Sequence, residues 1–315
     1  MKPKIISVVG PTAVGKTNVG IEICKRFDGE VINGDAIQIY RQFDIGSAKA
    51  SLEEQAGIPH HLIDYLDPTE NYSASDFQMD VKQKALEIES RGKVPVLVGG
   101  TGFYVQSALY DFNFPEVKRD EAYSKKLLSD IEREGIEPYY ERLKEVDSEQ
   151  AERIHPNNIR RVIRALEVYE STGKPMSVYE KEQSAESSYR PWLIGLTMER
   201  SLLYERINLR VDHMIEQGLI DEAKQLYDRY GPDVQPMQGI GYKEWIPYFK
   251  DEYDREEAIE RVKRNTRRFA KRQLTYFRNK FHEIQWYEVD LDQPEKFFSS
   301  IFSDLEGFLL NGENS

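Results

Sequence analysis

Cysteine and long apolar runs are the two features that this sequence most clearly lacks. Its 315 residues include one cysteine, Cys24, which excludes an internal disulfide and a zinc site built from cysteines. So little cysteine is typical of a reducing compartment, and we expect the cytoplasm. No stretch approaches the roughly 20 apolar residues that span a bilayer, and residues 1–9 enter an apolar strand directly, without a signal-peptide pattern. We expect a monomer that does not associate with a membrane.

Acidic residues are missing from one segment of an otherwise acidic chain. The formal net charge is −12, yet residues 261–280 carry nine basic residues and no Asp or Glu. Arg264, Arg268, Lys271 and Arg272 fall on neighbouring turns of a predicted helix, a spacing that suits a phosphodiester backbone. A solvated helix face is the alternative, although such a face usually mixes both signs of charge. We predict a surface that faces a polyanion.

A glycine-rich loop follows the first apolar run of the chain. Residues 10–17, GPTAVGKT, match G-x-x-x-x-G-K-[ST] between a predicted strand and a predicted helix, the context that the motif requires. Its glycines let backbone N–H groups converge on phosphate oxygens, the lysine adds a point charge, and the threonine hydroxyl can bind Mg²⁺. The predicted diphosphate-binding residues are Gly10, Pro11, Thr12, Ala13, Val14, Gly15, Lys16 and Thr17, with Thr17 as the metal ligand. The motif does not determine which reaction follows.

Short apolar strands alternate with helical patterns through most of the chain. The predicted strands cover residues 5–9, 30–33, 94–98, 192–196 and 284–287. Ser75 and Gln78 match a capping box at the start of the helix before the third strand. Residues 116–190 are charged and helical in pattern. We therefore predict an α/β fold, a P-loop NTPase-like parallel sheet flanked by helices with an inserted all-helical lobe. The predicted core covers residues 1–115 and 191–315, and the lobe covers 116–190.

Two polar residues follow predicted strands at the edge where α/β sheets bind ligands. Asp35 comes after EVING and Thr101 comes after VPVLVGG. A carboxylate beside a phosphate loop can hold Mg²⁺ or accept a proton from a nucleophile, and the alternative for Asp35 is a turn or cap residue. Thr101 alone is a weak signal because threonine commonly caps helices.

Other charged residues leave two interpretations open. Arg160, Arg161 and Arg164 could contact RNA or form surface ion pairs. Arg206 and Arg210 lie four residues apart on a predicted helix, where spacing alone favours surface pairing with Glu205 or Asp212. The adjacent histidines at 60–61 diverge on a strand or helix, which disfavours a shared metal.

Several motifs resemble tRNA dimethylallyltransferases, also called tRNA isopentenyltransferases, along essentially the whole chain. They include GPTAVGKT, GDAIQIYRQFDIGSAK at 34–49, IPHHLID at 58–64 and VGGTGFYVQSALY at 98–110. The match continues through NNIRRVIRALEVYESTGKP at 157–175, QGIGYKE at 238–244 and TRRFAKRQLTYFR at 266–278. One difference is that the family's acid normally lies in a serine-containing string, whereas this chain has Asn33-Gly34-Asp35-Ala36.

The resemblance implies a reaction, its substrates and its site residues. The loop would hold the diphosphate of dimethylallyl diphosphate, and the acceptor would be the exocyclic amine of the adenine 3′-adjacent to the anticodon of tRNA. Asp35 would accept the amine proton, and Thr101 and Arg210 match catalytic positions. The implied tRNA-binding residues are Asp35, Ala36, Ile37, Gln38, Thr101, Arg160, Arg161, Arg164, Gln238, Gly239, Lys243, Arg264, Arg268, Lys271 and Arg272. Mg²⁺ is the implied cofactor.

Other functions remain open from the residues alone. A P-loop kinase of a nucleoside or small metabolite would also use GPTAVGKT and Asp35, but would leave the basic segment unexplained. A non-catalytic RNA-binding NTPase would hydrolyse nucleotide without changing the RNA. Relatives that prenylate free adenine nucleotides have no use for nine clustered basic residues.

Overall fold

The computed structural model describes residues 2–115, 120–182 and 186–310, which form two compact units. The first unit joins Met1–Leu109 to Ser187–Ser315, and the second is Tyr110–Glu186. The lobe predicted at 116–190 overlaps the second unit, and its predicted start at residue 116 lies outside the described residues.

Six parallel strands form one sheet in the first unit. In chain order they are β1 (Lys4–Val9), β2 (Gly29–Asn33), β3 (His60–His61), β4 (Val94–Gly99), β5 (Arg190–Thr197) and β6 (Gln285–Glu288). Their order across the sheet is β3-β2-β4-β1-β5-β6. The predicted parallel sheet is confirmed, and all five predicted strands belong to it. The edge strand β3 was not predicted because two residues carry no periodic pattern.

Thirteen α-helices are present in the described residues, five of them in the second unit, and one 3₁₀-helix, Gln235–Gln238, lies in the first unit. The α-helices are α1 (Lys16–Phe27), α2 (Ala74–Ser90), α3 (Gly102–Leu109), α4 (Glu121–Glu134), α5 (Glu137–Val146), α6 (Ser148–Arg153), α7 (Ile159–Thr172), α8 (Met176–Lys181), α9 (Arg200–Glu216), α10 (Leu219–Tyr230), α11 (Trp245–Phe249), α12 (Arg255–Lys280) and α13 (Pro294–Leu310). Within residues 2–115, 120–182 and 186–310, no helix combines the length and apolar character needed to cross a membrane.

The order of the strands determines where the polar strand ends meet. β1 lies between β4 and β5, so the phosphate loop leaves the middle of the sheet. β2 pairs with β4, with Asn33 opposite Val98, and the Gly34 N–H donates to the Val98 carbonyl at 2.8 Å. Because parallel neighbouring strands end at the same edge, Asp35 and Thr101 are brought side by side there.

Helices cover both faces of the sheet, which explains the continuous apolar character of its strands. Ile6 and Ile194 are fully buried in a core cluster that also includes Ile23 of α1 and Ile301 of α13. Residues 5–9 of β1 are all buried, so side chains on both faces of this strand are covered. Strands covered on both faces have no solvent side on which polar residues could alternate.

The start of α2 differs from the predicted capping box. The N-cap is Ser73, whose hydroxyl accepts a hydrogen bond from the Asp76 N–H while the Asp76 carboxylate accepts from Ser73. The cap predicted at Ser75 with Gln78 is therefore wrong. Two overlapping S-x-x-[polar] patterns are present, and the structure uses the earlier one because Asp76 can reach back as an acceptor and Gln78 instead bonds the Ser107 carbonyl.

The second unit contains helices only, within its described residues 110–115, 120–182 and 186. Leu143, Val162 and Leu166 lie at the centre of its own apolar cluster. The C-cap of α7 is Gly173, whose positive φ of 69° a glycine adopts without strain.

Candidate active site

The loop 10–17 runs from the end of β1 into the first turn of α1, as the motif requires. Gly10 allows this path because a Cβ at that position would lie 2.7 Å from the Leu196 carbonyl oxygen. The unsatisfied N–H groups of the first turn of α1 face the loop and favour an anion. The loop is therefore shaped to hold phosphate groups.

Two side chains from distant helices hold this loop. The Thr12 N–H donates to Gln273 Oε1 of α12 at 2.8 Å, and Arg206 Nε of α9 donates to the Ala13 carbonyl at 3.1 Å. Ala13 has a φ of 64°, a conformation that costs a non-glycine residue energy. Both contacts were missed by the sequence interpretation. The surface pairing of Arg206 and Arg210 with Glu205 or Asp212 is wrong: the described residues contain no such ion pair, and Asp212 pairs with Lys263 at 2.5 Å.

Lys16 lies in the mouth of the loop with its ammonium donating to the Pro11 carbonyl at 2.7 Å. Burial and the positive charge of Arg210 lower the pKa of the Lys16 ammonium to about 7, while Asp35 opposes the shift. Burial likewise lowers the pKa of the Arg210 guanidinium, against the pull of Glu54 and Asp35. Lys16, Asp35 and Arg210 are therefore electrostatic neighbours.

Asp35 and Thr101 meet at the adjacent carboxyl ends of β2 and β4. Asp35 Oδ1 accepts hydrogen bonds from the N–H groups of Ile37 at 2.8 Å and Gln38 at 3.3 Å. Thr101 Oγ1 accepts from the Ala36 N–H at 3.2 Å. Oδ1 thus stabilises a turn, which is the alternative that the sequence left open for Asp35. Oδ2 has no protein hydrogen-bond partner among the described residues. That oxygen is available to a substrate.

Asn33 supports this turn from the strand. Its Oδ1 accepts from the Asp35 N–H at 3.1 Å, and its Nδ2 donates to the Leu62 carbonyl at 2.9 Å. Asn33 is 5% exposed, and both polar atoms of its side-chain amide have hydrogen-bond partners. In Asn33-Gly34-Asp35-Ala36 the Asp35 and Ala36 N–H groups thus donate to the side chains of Asn33 and Thr101.

The segment 238–243 lies against the turn that follows Asp35. A Cβ added to Gly239 would lie 3.0 Å from Ile37 Cδ1, so the two segments are in close contact. Gln238 and Lys243 are exposed, and Gln238 Nε2 donates to the Pro232 carbonyl at 2.7 Å. Gln38 Nε2 donates to the Ser47 and Ala48 carbonyls at 3.1 and 3.2 Å. The predicted tRNA-binding residues of the segments 36–38 and 238–243 are thus neighbours in space.

Two groups of basic residues on α12 differ in their surroundings. Three of them pair with acidic side chains: Arg261 with Glu257 at 2.6 Å, Lys263 with Asp212 at 2.5 Å, and Arg267 with Glu260 at 2.9 Å.

The second group lies nearer the end of α12. Arg268, Lys271 and Arg272 are exposed and line a groove of about 470 Å³ that also includes Tyr276 and Lys280. Of the four predicted contacts, only Arg264 is half-buried and outside this groove.

The basic residues predicted in the second unit also differ from one another. Arg160 and Arg161 are exposed on α7, whereas Arg164 Nη1 lies 3.0 Å from Glu167 Oε2, a carboxylate on a residue 1% exposed. Arg164 is therefore engaged inside its own unit.

The histidines at 60–61 form the short strand β3. His61 Nε2 lies 2.7 Å from Glu30 Oε2, which also accepts a hydrogen bond from Arg91 at 2.6 Å. Burial opposes ionisation of Glu30, but the contacts with Arg91 and His61 outweigh burial and lower the pKa of that carboxyl. His61 is thus part of a cluster with Glu30 and Arg91 at the sheet edge, whereas His60 Nδ1 lies 2.8 Å from the Ile58 carbonyl oxygen.

The fold and the site together define a P-loop type of α/β protein, with a phosphate loop after the central strand β1 and an acid after β2, which β4 separates from β1. A family profile described as IPP transferase matches residues 38–280. The tRNA dimethylallyltransferase of Oceanobacillus iheyensis is 51% identical, with 100% of both chains covered, and that of Bacillus subtilis is 48% identical, with 98% of both covered.

Solved structures agree with the sequence relatives. The crystal structure of a tRNA isopentenylpyrophosphate transferase from Bacillus halodurans has a TM-score of 0.72 at 46% identity, covering 98% of both chains. A eukaryotic dimethylallyltransferase described as acting on tRNA has a TM-score of 0.84 at 32% identity, covering 98% of this chain and 80% of that chain. The present chain belongs to the tRNA dimethylallyltransferase family, and the resemblance identified from its motifs is confirmed.

Proposed function

We propose that this protein transfers a dimethylallyl group from dimethylallyl diphosphate to the exocyclic amine of the adenine 3′-adjacent to the anticodon in tRNA. Family membership supports the reaction class. The observation that carries the proposal at the residue level is the convergence of Lys16, Asp35, Thr101 and Arg210 at the mouth of the loop 10–17. Diphosphate is the second product.

The chemistry follows from which groups are free to act. The amine nitrogen attacks C1 of the dimethylallyl group, a C–N bond forms, and the C–O bond to diphosphate breaks with its electron pair passing to the diphosphate. Asp35 Oδ2 is the acceptor for the amine proton, since Oδ1 is held by the Ile37 and Gln38 amides. The positive charges of Lys16 and Arg210 stabilise the negative charge that develops on the leaving diphosphate.

Mg²⁺ fits this site only together with the diphosphate. Among the described residues there is no group of three His, Cys, Asp or Glu side chains that could hold a metal ion alone. The Thr17 hydroxyl, exposed in the first turn of α1, is the ligand that we assign, with phosphate oxygens completing the set. Bound Mg²⁺ would neutralise part of the diphosphate charge.

For tRNA we assign Arg268, Lys271 and Arg272 to the phosphodiester backbone, and the segments 36–38 and 238–243 to the region of the target base. Exposed cations and the absence of acidic side chains from the lining of their groove support the first assignment. Arg160 and Arg161 are further candidate contacts, whereas Arg164 is engaged with Glu167. A tRNA substrate also favours the cytoplasm.

Mass analysis of tRNA nucleosides tests the reaction. After incubation with dimethylallyl diphosphate and Mg²⁺, we expect one five-carbon unit on an adenosine, and none on a matched tRNA with guanine at that position. Incubation with ATP and a nucleoside provides the test of the kinase alternative. ATP consumption without prenylated tRNA would refute the proposal, and prenylation of free AMP at an equal rate would assign the protein to the nucleotide-modifying relatives.

A further inference from the structure

A buried amide lies on the inner face of the helix whose outer face carries the basic groove. Gln273 of α12 is 4% exposed. Its Oε1 accepts from the Thr12 N–H in the phosphate loop, and its Nε2 donates to the Gly100 carbonyl directly before Thr101, both at 2.8 Å. One side chain therefore joins α12 to the diphosphate loop and to the end of β4.

The Gln273 amide packs closely against the end of β4. A Cβ added to Gly100 would lie 2.3 Å from Gln273 Nε2. Ala270 and Phe277, one turn before and one turn after on the same face, are fully buried and apolar. An apolar side chain would satisfy packing at position 273, and a buried amide is costly unless both of its polar atoms are bonded. Packing alone therefore does not account for glutamine.

The same turn of α12 presents the cations that we assign to tRNA. Lys271 and Arg272 directly precede Gln273 and are exposed, while Gln273 points to the loop. A helix is stiff over one turn, so any displacement of Lys271 and Arg272 by a bound polyanion also displaces the Gln273 amide. The Thr12 N–H and the Gly100 carbonyl must follow it or give up their hydrogen bonds.

We propose that Gln273 is a positioning residue that couples the binding of tRNA on α12 to the affinity of the phosphate loop for diphosphate. The proposal rests on the proposed function of the same site. In the free protein Gln273 Oε1 occupies the Thr12 N–H, one of the backbone donors of the loop 10–17. The coupling is reciprocal, so diphosphate also tightens the binding of RNA by the same factor.

The test measures inorganic diphosphate binding by calorimetry in the presence of Mg²⁺, with and without a saturating anticodon stem-loop. Diphosphate carries no prenyl group, so no reaction interferes. In the wild type we expect the stem-loop to lower the Kd for diphosphate by about 5- to 20-fold. In Gln273→Met, which keeps the volume and removes both hydrogen bonds, we expect the two Kd values to agree within about twofold.

Gln150→Met is the matched control, because Gln150 is another buried helical glutamine, 4% exposed, in the second unit. A merely structural role for Gln273 predicts that both variants lower the melting temperature and that both retain the wild-type ratio of Kd values. Gly100→Ala disrupts the contact between Gln273 and the end of β4, because the added Cβ would displace the Gln273 amide. The two Kd values should therefore agree in this variant too. It keeps the test decisive if Gln273→Met does not fold.

Two results would overturn the inference: a wild-type ratio of one, or an unchanged ratio in folded Gln273→Met or Gly100→Ala. Neither result depends on catalysis. If wild-type protein prenylates tRNA but shows no coupling, only the inference fails. If it binds diphosphate and the stem-loop cooperatively but transfers no prenyl group, the proposed reaction fails instead.

Discussion

Positively charged side chains lie both around the phosphate loop and in the groove of α12, but the two sets differ in how far they are buried. Lys16 and Arg210 are half-buried beside Asp35, and burial shifts both of their pKa values downward. Arg268, Lys271 and Arg272 are exposed. Buried charges act strongly on one bound group because little solvent screens them, whereas exposed charges give affinity that salt weakens. We therefore propose that Lys16 and Arg210 act in the chemical step and that Arg268, Lys271 and Arg272 position the tRNA.

A similar contrast lies within α12 itself. Arg261, Lys263 and Arg267 are neutralised by Glu257, Asp212 and Glu260, all of which precede the segment 261–280 in the chain. The cations later in the helix have no acidic partner among the described residues. A count of nine basic residues therefore overstates the charge that a polyanion can meet.

The largest effect should come from Asp35→Asn. The amide keeps the size of the carboxylate and can still accept the Ile37 and Gln38 hydrogen bonds, but it cannot take a proton. We expect the chemical step to slow by about 10²- to 10⁴-fold in single-turnover prenylation, with tRNA affinity nearly unchanged.

A titration with Mg²⁺ separates the two roles that a carboxylate can have here. If raising Mg²⁺ alone restores the rate of Asp35→Asn, Asp35 is a metal ligand and the general-base assignment is wrong. A large loss of tRNA affinity would instead show that Asp35 positions tRNA. The proposed separation between buried groups that act in the chemical step and exposed groups that bind tRNA would then be wrong.

The second-largest effect should come from Lys16→Ala. We expect a rate loss on the order of 10²-fold or more, because one charged contact to the leaving diphosphate is removed. Steady-state kinetics should show the loss in kcat/KM for dimethylallyl diphosphate, while the KM for tRNA stays within about twofold. Wild-type turnover would exclude the loop as the diphosphate site.

The pH dependence of diphosphate binding tests the buried charge directly. Burial lowers the pKa of the Lys16 side chain to about 7 in the free protein, so above that pH it is mainly the neutral amine. A bound diphosphate favours the charged form and raises the pKa, so binding takes up a proton. Affinity should therefore fall by up to about tenfold per pH unit above 7, relative to the Lys16→Ala variant. Calorimetry in buffers of different ionisation enthalpy measures the proton uptake, and equal heats in all buffers would contradict it.

The smallest effects should come from the groove. Arg268→Ala and Lys271→Ala should each reduce the log–log salt slope of tRNA binding by about 0.7–0.9 for each phosphate group that the variant no longer binds, while the single-turnover rate at saturating tRNA survives. Arg261→Ala is the matched control on the same helix, because Arg261 is already paired with Glu257. An equal change of salt slope in all three variants would show that pairing with Glu257 does not keep Arg261 from binding tRNA phosphates.

Patterns that are local in the chain were predicted well. The strand at 94–98 and the loop 10–17 depend on a few consecutive residues, so the sequence contains the whole signal. Ser73 was missed because a second candidate cap stood two residues later. Gln273 was missed because the basic residues around it dominate the segment, although its place between Ala270 and Phe277 on an otherwise apolar face was a usable signal.

The sequence by itself determined the class of fold, the phosphate loop and the family, because apolar periodicity and glycine spacing act over short distances. The tertiary structure decided which groups meet. Thr101 binds the Ala36 amide because β2 and β4 are neighbours, and Arg206 reaches Ala13 across 193 positions of chain. It also decided which basic residues are neutralised, since Lys263 meets Asp212 only where α9 and α12 pack together. Such pairings arise from the packing of distant elements, which no local pattern records.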